Sequence, residues 1–178
     1  QMCIRDSLER DLDARMKRTS RRPLPSGRLQ PEQAYIFGLL LSVSGILYLG
    51  FMVNWLVGIV AAVTTIIYLF FYTPLKQKTS HNTAVGAIAG ALPPVGGWAA
   101  VRGEIGLEAW ILFGIMFLWQ FPHFFAIAWL YREDYLSSGY RMISAGDAEG
   151  KRTSKQILVY SLALVSYSAL PFLFGLSG

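Results

Sequence analysis

Apolar and polar residues alternate along this chain in blocks far longer than a helical turn or a strand. Five apolar runs, 34–53, 55–72, 83–101, 109–131 and 157–176, contain no Lys, Arg, Asp or Glu. Each is close to the ~20 residues that a helix needs to cross a hydrocarbon core of about 30 Å. One such run would suit a buried soluble helix, but five in succession predict an all-α, polytopic transmembrane helix bundle. Asn54 alone separates the first two runs, which predicts a tight helical hairpin. The other connections, 73–82, 102–108 and 132–156, are polar. Pro31 and Glu32 suit a first helical turn, where proline forfeits no helix hydrogen bond. No internal repeat or low-complexity tract is visible.

The third run has a pattern of its own. Gly86 and Gly90 stand at GxxxG spacing, followed by Pro93-Pro94 and Gly96-Gly97. Small residues let helices approach closely, and the prolines predict a kink. Helix packing accounts for this pattern. A wall that leaves room for a large flat or isoprenoid ligand accounts for it as well.

Composition agrees with a membrane protein: 53% of the residues are hydrophobic and 15% charged, against roughly 25% charged in soluble chains. A net charge of +5 would point to nucleic acid in a soluble protein. Here the cations flank membrane-length runs, so topology and anionic ligands explain them and no nucleic-acid partner is expected. Fifteen of the sixteen basic residues fall before the first run, between the second and third, or between the fourth and fifth; Arg102 is the exception. The positive-inside rule puts those three segments on the cytoplasmic or matrix side, of a bacterial plasma membrane or a mitochondrial inner membrane. The single cysteine, Cys3, excludes an intrachain disulfide. Residues 1–7 lack the apolar core of a signal peptide, and the chain stops two residues after the fifth run. Both ends read as cuts in a larger protein.

The densest chemistry precedes the first run, in Glu9-Arg10-Asp11-Leu12-Asp13 and then Arg18-Thr19 and Arg22-Pro23-Leu24. On a helix Glu9 and Asp13 share a face and Asp11 points elsewhere. Paired carboxylates repel unless a cation lies between them, and Mg²⁺ with an anionic ligand would fit. Arginines downstream could grip phosphate oxygens through paired hydrogen bonds. A solvated juxtamembrane charge cluster has the same composition. A second group, Tyr131-Arg132-Glu133-Asp134-Tyr135, follows the fourth run on the same side and would suit a second metal ion. Within the fourth run lie Trp119-Gln120-Phe121-Pro122-His123-Phe124. Polar groups at this depth usually face the bundle interior. His123 reads either as a hydrogen-bonded structural histidine or as a proton-transfer or iron contact.

Four blocks in this order resemble a known family. Glu9-x-x-x-Asp13-x-x-Met16-x-Arg18-Thr19-x-x-Arg22-Pro23-Leu24 is similar to the first acidic motif of the UbiA-type intramembrane prenyltransferases. Its continuation resembles their heme-farnesylating branch. So do Tyr72-Thr73-Pro74-Leu75-Lys76 with Thr79 and Asn82, then Trp119 to Phe124, then Tyr131 to Tyr135 with Gly139 and Met142. The likeness covers residues 8–178. It implies nine helices around a cavity open to lipid, of which these runs are the third to seventh, and a fragment inactive by itself. The family pattern has Asn where Arg5 stands, and residues 1–7 read as a start foreign to the domain, so no role is assigned to Arg5 or Asp6. Leu130 stands where the wider superfamily has a second Asp, a reduced form that favours the heme branch over quinone prenyltransferases.

The resemblance also implies a mechanism. Glu9 and Asp13, assisted by Asp134, hold Mg²⁺ on the diphosphate of farnesyl diphosphate. Arg18, Arg22, Lys76, Lys78 and Arg132 neutralise the leaving group. The farnesyl cation is attacked by a vinyl group of heme B, and His123 is carried as a heme or proton-transfer contact. A UbiA-type enzyme for an aromatic quinone precursor and a non-enzymatic transporter or scaffold are the alternatives. Proteins of heme A synthesis or cytochrome oxidase assembly are the expected protein partners.

Overall fold

The computed structural model describes residues 2–16, 19–79, 82–138, 147 and 149–175. Among them every regular element is helical. Two short helices, α1 (Met2–Leu8) and α2 (Arg10–Asp13), precede the first long helix α3 (Pro31–Tyr48), and α1 packs against α3. Then come α4 (Trp55–Ile66), α5 (Thr73–Lys78), α6 (Asn82–Arg102), α7 (Leu107–Leu130), α8 (Arg132–Ser138), α9 (Lys151–Tyr167) and α10 (Leu170–Leu173). Consecutive long helices are neighbours: α3 packs on α4, α4 on α6, α6 on α7 and α7 on α9.

Five segments are long and apolar enough to cross a membrane: Pro31–Val53, Trp55–Leu75, Asn82–Arg102, Leu107–Leu130 and Lys151–Leu173. They coincide with the five apolar runs, with shifted ends. The fifth helix starts at Lys151 rather than 157, so it carries Lys151, Arg152 and Lys155 in its opening turns. An apolar count misses a polar first turn whose backbone is capped. Here the Asp147 carboxylate accepts from the Thr153 N–H at 2.7 Å and from its hydroxyl at 2.8 Å. The Thr153 amide above all holds this carboxyl below the usual aspartate range. Only 6% of the apolar window of the first span is buried within the bundle, and none of the fifth. Side chains such as Phe51 and Phe172 therefore lie bare on the surface, as bilayer contact requires.

Polar atoms and aromatic rings align the helices together with apolar packing, such as that of Ala87, Phe121, Phe125 and Ile157. Asn54 is the turn between α3 and α4. Its side-chain oxygen accepts from the Val57 N–H at 3.0 Å, capping α4, and its amide donates to Ala99 O of α6 at 2.7 Å. This bond sets the Asn54 turn beside the end of α6 that carries Arg102, so the sole cation of the minority side lies at that end. Between α7 and α9, Phe121 stacks on Tyr160 at 4.2 Å with the rings 7° apart. A Cβ on Gly114 would run into the Tyr167 ring, so glycine there lets α9 close on α7. α6 continues through Pro93 and Pro94.

Asn54→Ala deletes a helix cap and an interhelical bond together. It should lower stability by roughly 1–3 kcal/mol, read as an earlier thermal transition in detergent; an unchanged transition would mean that the Asn54–Ala99 bond does not hold the hairpin to α6.

Candidate functional site

The motif before the first span folds into a hook. Backbone bonds from Glu9 N to Arg5 O and from Asp13 N to Glu9 O, both 2.9 Å, carry the helical turn through the break between α1 and α2. Glu9 and Asp13 consequently share a face, and both are buried, at 3% and 4% exposure, so they are not a solvated cluster. Asp11 points to solvent beside Arg10. The chain then turns back. The buried Thr19 hydroxyl donates to Asp13 O at 2.6 Å, and three residues later the Arg22 guanidinium reaches Asp13 Oδ2 at 3.3 Å. Leu24 and Met16 are buried under the hook. The Arg-Thr-x-x-Arg-Pro-Leu spacing thus serves a return turn: Thr19 fastens it, Arg22 supplies the countercharge and Leu24 anchors it.

Arg5 completes this corner. Its guanidinium lies 3.8 Å from Glu9 Oε2 and 2.6 Å from Asp6, and donates to the Tyr68 hydroxyl at 2.9 Å. Burial opposes its charge, yet Tyr68 and Asp6 raise its pKa above the ordinary arginine value. Arg5, left without a role by the sequence, therefore stands beside the acidic pair.

Below this corner is a cavity of about 370 Å³, lined by Tyr68, Tyr72, Gly86, Gly90, Gln120 and Phe124 among others. Two local features build its wall. The helix after α4 widens to a π form over Ile67–Tyr72, a distortion common at functional sites, and the Tyr68 and Tyr72 rings lie 5.1 Å apart within it. The Thr73 hydroxyl caps the widened turn by donating to Tyr68 O at 2.9 Å. The glycines of α6 then receive side chains instead of another backbone: a Cβ on Gly86 would sit 2.6 Å from the Tyr72 ring, and one on Gly90 would strike the Gln120 amide. Gln120 is buried and donates to Ala87 O at 3.0 Å and Met116 O at 3.2 Å. A second, mostly apolar cavity of about 600 Å³ continues from Thr64 and Pro93, which line both, down between α3, α4 and α6.

The remaining predicted residues are more scattered. Asp134 and Arg132 are on α8. Tyr72, on the cavity wall, is within electrostatic reach of Glu9 and of Tyr135 on α8. Arg132 itself lies over the Trp129 ring, 4.5 Å from its centroid. His123 is exposed on α7, stacked on Trp119 at 4.9 Å, and lines neither cavity. The structure thus turns this histidine outward, because Gln120 and Phe124 take the inward face of the helix. Lys76 and Lys78 are on α5, with their side chains outside the described atoms. Arg18, Gly139 and Met142 lie outside the described residues. Among the described residues, no three His, Cys, Asp or Glu side chains are grouped closely enough to hold a metal ion.

A family model for UbiA prenyltransferases matches residues 2–178. The chain belongs to the UbiA prenyltransferase family. Among UbiA-family relatives, a protoheme IX farnesyltransferase of Solibacter usitatus is 49% identical over 170 residues, 96% of this chain and 58% of that protein. One from Koribacter versatilis is 43% identical over 175 residues, covering 98% of this chain and 56% of the relative. Another from Cytophaga hutchinsonii is 42% identical over 175 residues, covering 98% and 61%. The chain thus spans about three fifths of the length of these relatives. No solved structure matches it.

The two glycine contacts give a direct test of the cavity wall. Gly86→Ala must displace the Tyr72 ring and should cost about 1–3 kcal/mol, whereas a Cβ on Gly97 meets nothing within 4 Å and Gly97→Ala should be silent. Thermal melting of both variants in detergent checks the contrast; equal effects would refute the seating of Tyr72 on Gly86.

Proposed function

We propose that the protein containing this chain transfers a farnesyl group from farnesyl diphosphate to a vinyl group of heme B, the reaction class in its relatives' names. The supporting observation is the buried pair Glu9 and Asp13, backed by Arg22, at the mouth of an aromatic and then apolar cavity. A structural membrane protein has no reason to bury two carboxylates, since desolvation is costly unless charge is compensated.

The donor set fits Mg²⁺, which takes one or two hard carboxylate oxygens and completes its shell with substrate phosphates. Glu9 and Asp13 would hold it, and Asp134 would assist by moving toward them with α8. Bound there, the ion would supply neutralisation of the diphosphate as it leaves. Arg22 keeps Asp13 oriented and adds positive charge at the same spot. Arg18, Lys76 and Lys78 belong to the same basic side and are assigned to the diphosphate; Arg132 would join them by leaving Trp129. The farnesyl chain lies down the cavity past Tyr68, Tyr72 and Phe124, where water is excluded from the cation. His123, on the outer face of α7 with Trp119, is assigned to a flat acceptor and not to the diphosphate. The basic loops are assigned to the cytoplasmic or matrix side, and proteins of heme A synthesis to receipt of the product.

Two outcomes test this reading. Cells lacking their own enzyme, expressing the longest native reading frame that includes this sequence, should accumulate hydroxyethylfarnesyl heme on mass analysis. Glu9→Ala/Asp13→Ala should reduce it by roughly 100-fold or more. Heme B alone from a well-expressed protein would transfer the case to a quinone-type acceptor or to a scaffold. Arg5→Asn, which installs the residue of the family pattern, removes a fixed cation 3.8 Å from Glu9. It should raise the affinity for Mn²⁺, as a spectroscopic stand-in for Mg²⁺, by roughly tenfold; unchanged binding would mean that Arg5 does not compete with a metal ion.

A further inference from the structure

The double proline of α6 has a chemical consequence besides geometry. Pro93 and Pro94 carry no N–H, so neither the carbonyl of Ala89 nor that of Gly90 can receive its i→i−4 hydrogen bond. Ala89, Gly90 and Pro93 all line the cavity beneath Glu9. Two carbonyls deprived of these bonds at membrane depth are costly unless another group meets them.

The rest of the wall has the same polarity. Gln120 lines this cavity and is buried, and its amide nitrogen is engaged by Ala87 O and Met116 O. Its oxygen is directed at the Gly90 backbone, where a Cβ would meet it. The Thr64 hydroxyl, also on the wall, donates back to Val60 O at 2.7 Å. Aromatic faces of Tyr68, Tyr72 and Phe124 supply most of the remainder, and such faces attract cations; Arg5, the one charged residue of this lining, stands at the Glu9 end. The wall is rich in acceptors and π faces, while the amide and hydroxyl donors of Gln120 and Thr64 are turned into the helices. Away from Arg5, that lining suits positive charge on carbon better than a diphosphate.

We infer that the carbonyls of Ala89 and Gly90, with the Gln120 side-chain oxygen, stabilise the allylic cation formed as farnesyl diphosphate ionises. The C1–O bond breaks, its electron pair leaves with the diphosphate, and the positive charge spreads over C1 and C3. The carbonyl dipoles hold that charge without forming a bond. The acceptor's vinyl π pair then forms the new C–C bond; water adds to the resulting cation and loses a proton. This rests on the prenyl-transfer reading above and assigns Pro93-Pro94 as positioning residues for the two carbonyls.

The test uses the longest native reading frame in membranes. Pro93→Ala/Pro94→Ala returns both helix bonds, so it should melt no earlier than the parent, which separates lost activity from lost fold. Its kcat should fall by roughly tenfold or more, with the KM for farnesyl diphosphate within about twofold. The deciding readout is binding of a farnesyl-chain tertiary amine, a charged mimic of the cation, against its uncharged ether counterpart, each with inorganic pyrophosphate. The parent should prefer the amine, and the double variant should lose most of that preference. Gln120→Met, which leaves α6 intact, should lose part of it. Equal preference in parent and double variant, or no preference in the parent, overturns the inference. Amine preference lost in the variant, in a parent that transfers nothing to heme B, would support the carbonyl patch and sink only the heme acceptor.

Discussion

Two carboxylates buried four residues apart impose the main constraint on this molecule. Glu9 and Asp13 are nearly inaccessible at the edge of an apolar bundle, where an uncompensated charge costs several kcal/mol. The surrounding chain is arranged to meet that cost. Thr19 turns the backbone around, Arg22 returns to Asp13, and Arg5 approaches Glu9 from the preceding turn. The hook is therefore held by electrostatics at its centre and by Met16 and Leu24 at its base. The proposed diphosphate would need a cation to accompany it there, because the carboxylates alone would repel it.

The helices below supply the complementary half. Their glycines do not bring two backbones together at the cavity; they make room for the Tyr72 ring and the Gln120 amide. The packing and ligand-room readings of the Gly86–Gly90 spacing thus merge, since the residues seated on the glycines are the ones that line the cavity. A π turn and a double proline, each unfavourable in an ordinary helix, occur on adjacent walls of the same space. Departures from regular helix concentrated around one cavity are a sign that the cavity uses the freed backbone groups.

The spans were legible because apolar length is a strong, additive signal over twenty residues. The shared face of Glu9 and Asp13, and the separation of Asp11, followed from helical period alone. What lay deeper was not legible. Tyr68 and Tyr72 sit in an apolar run whose composition fits an aromatic belt, and only the π turn aligns them. Gln120 was overshadowed by His123 three residues on, since titratable groups attract attention. A helix has one inward face, and the inward positions went to Gln120 and Phe124. Charge alone points Arg132 at an anion, but its guanidinium finds the Trp129 indole three residues back, at the end of α7. Thr19 left no signal except its place in the motif, because a buried hydroxyl that fastens a turn looks like any threonine.

The two halves of the site imply an order of events. In the proposed prenyl transfer, charge at the acidic corner acts on the leaving diphosphate, while the wall of α6, α7 and the π turn acts on the carbon that it leaves behind. Ionisation in a low-dielectric space is unfavourable unless both product charges are met at once, since each is worth far more there than in water. A polar mouth with a metal-binding corner would retain only the anion. A purely apolar cavity would reject both ions. The arrangement here, with fixed positive and acidic groups above and acceptor oxygens with aromatic faces below, separates the charges along the axis of the bundle. That separation also explains why the acidic motif sits at the end of the helices and not within them: the diphosphate must remain near water, and the cation must not.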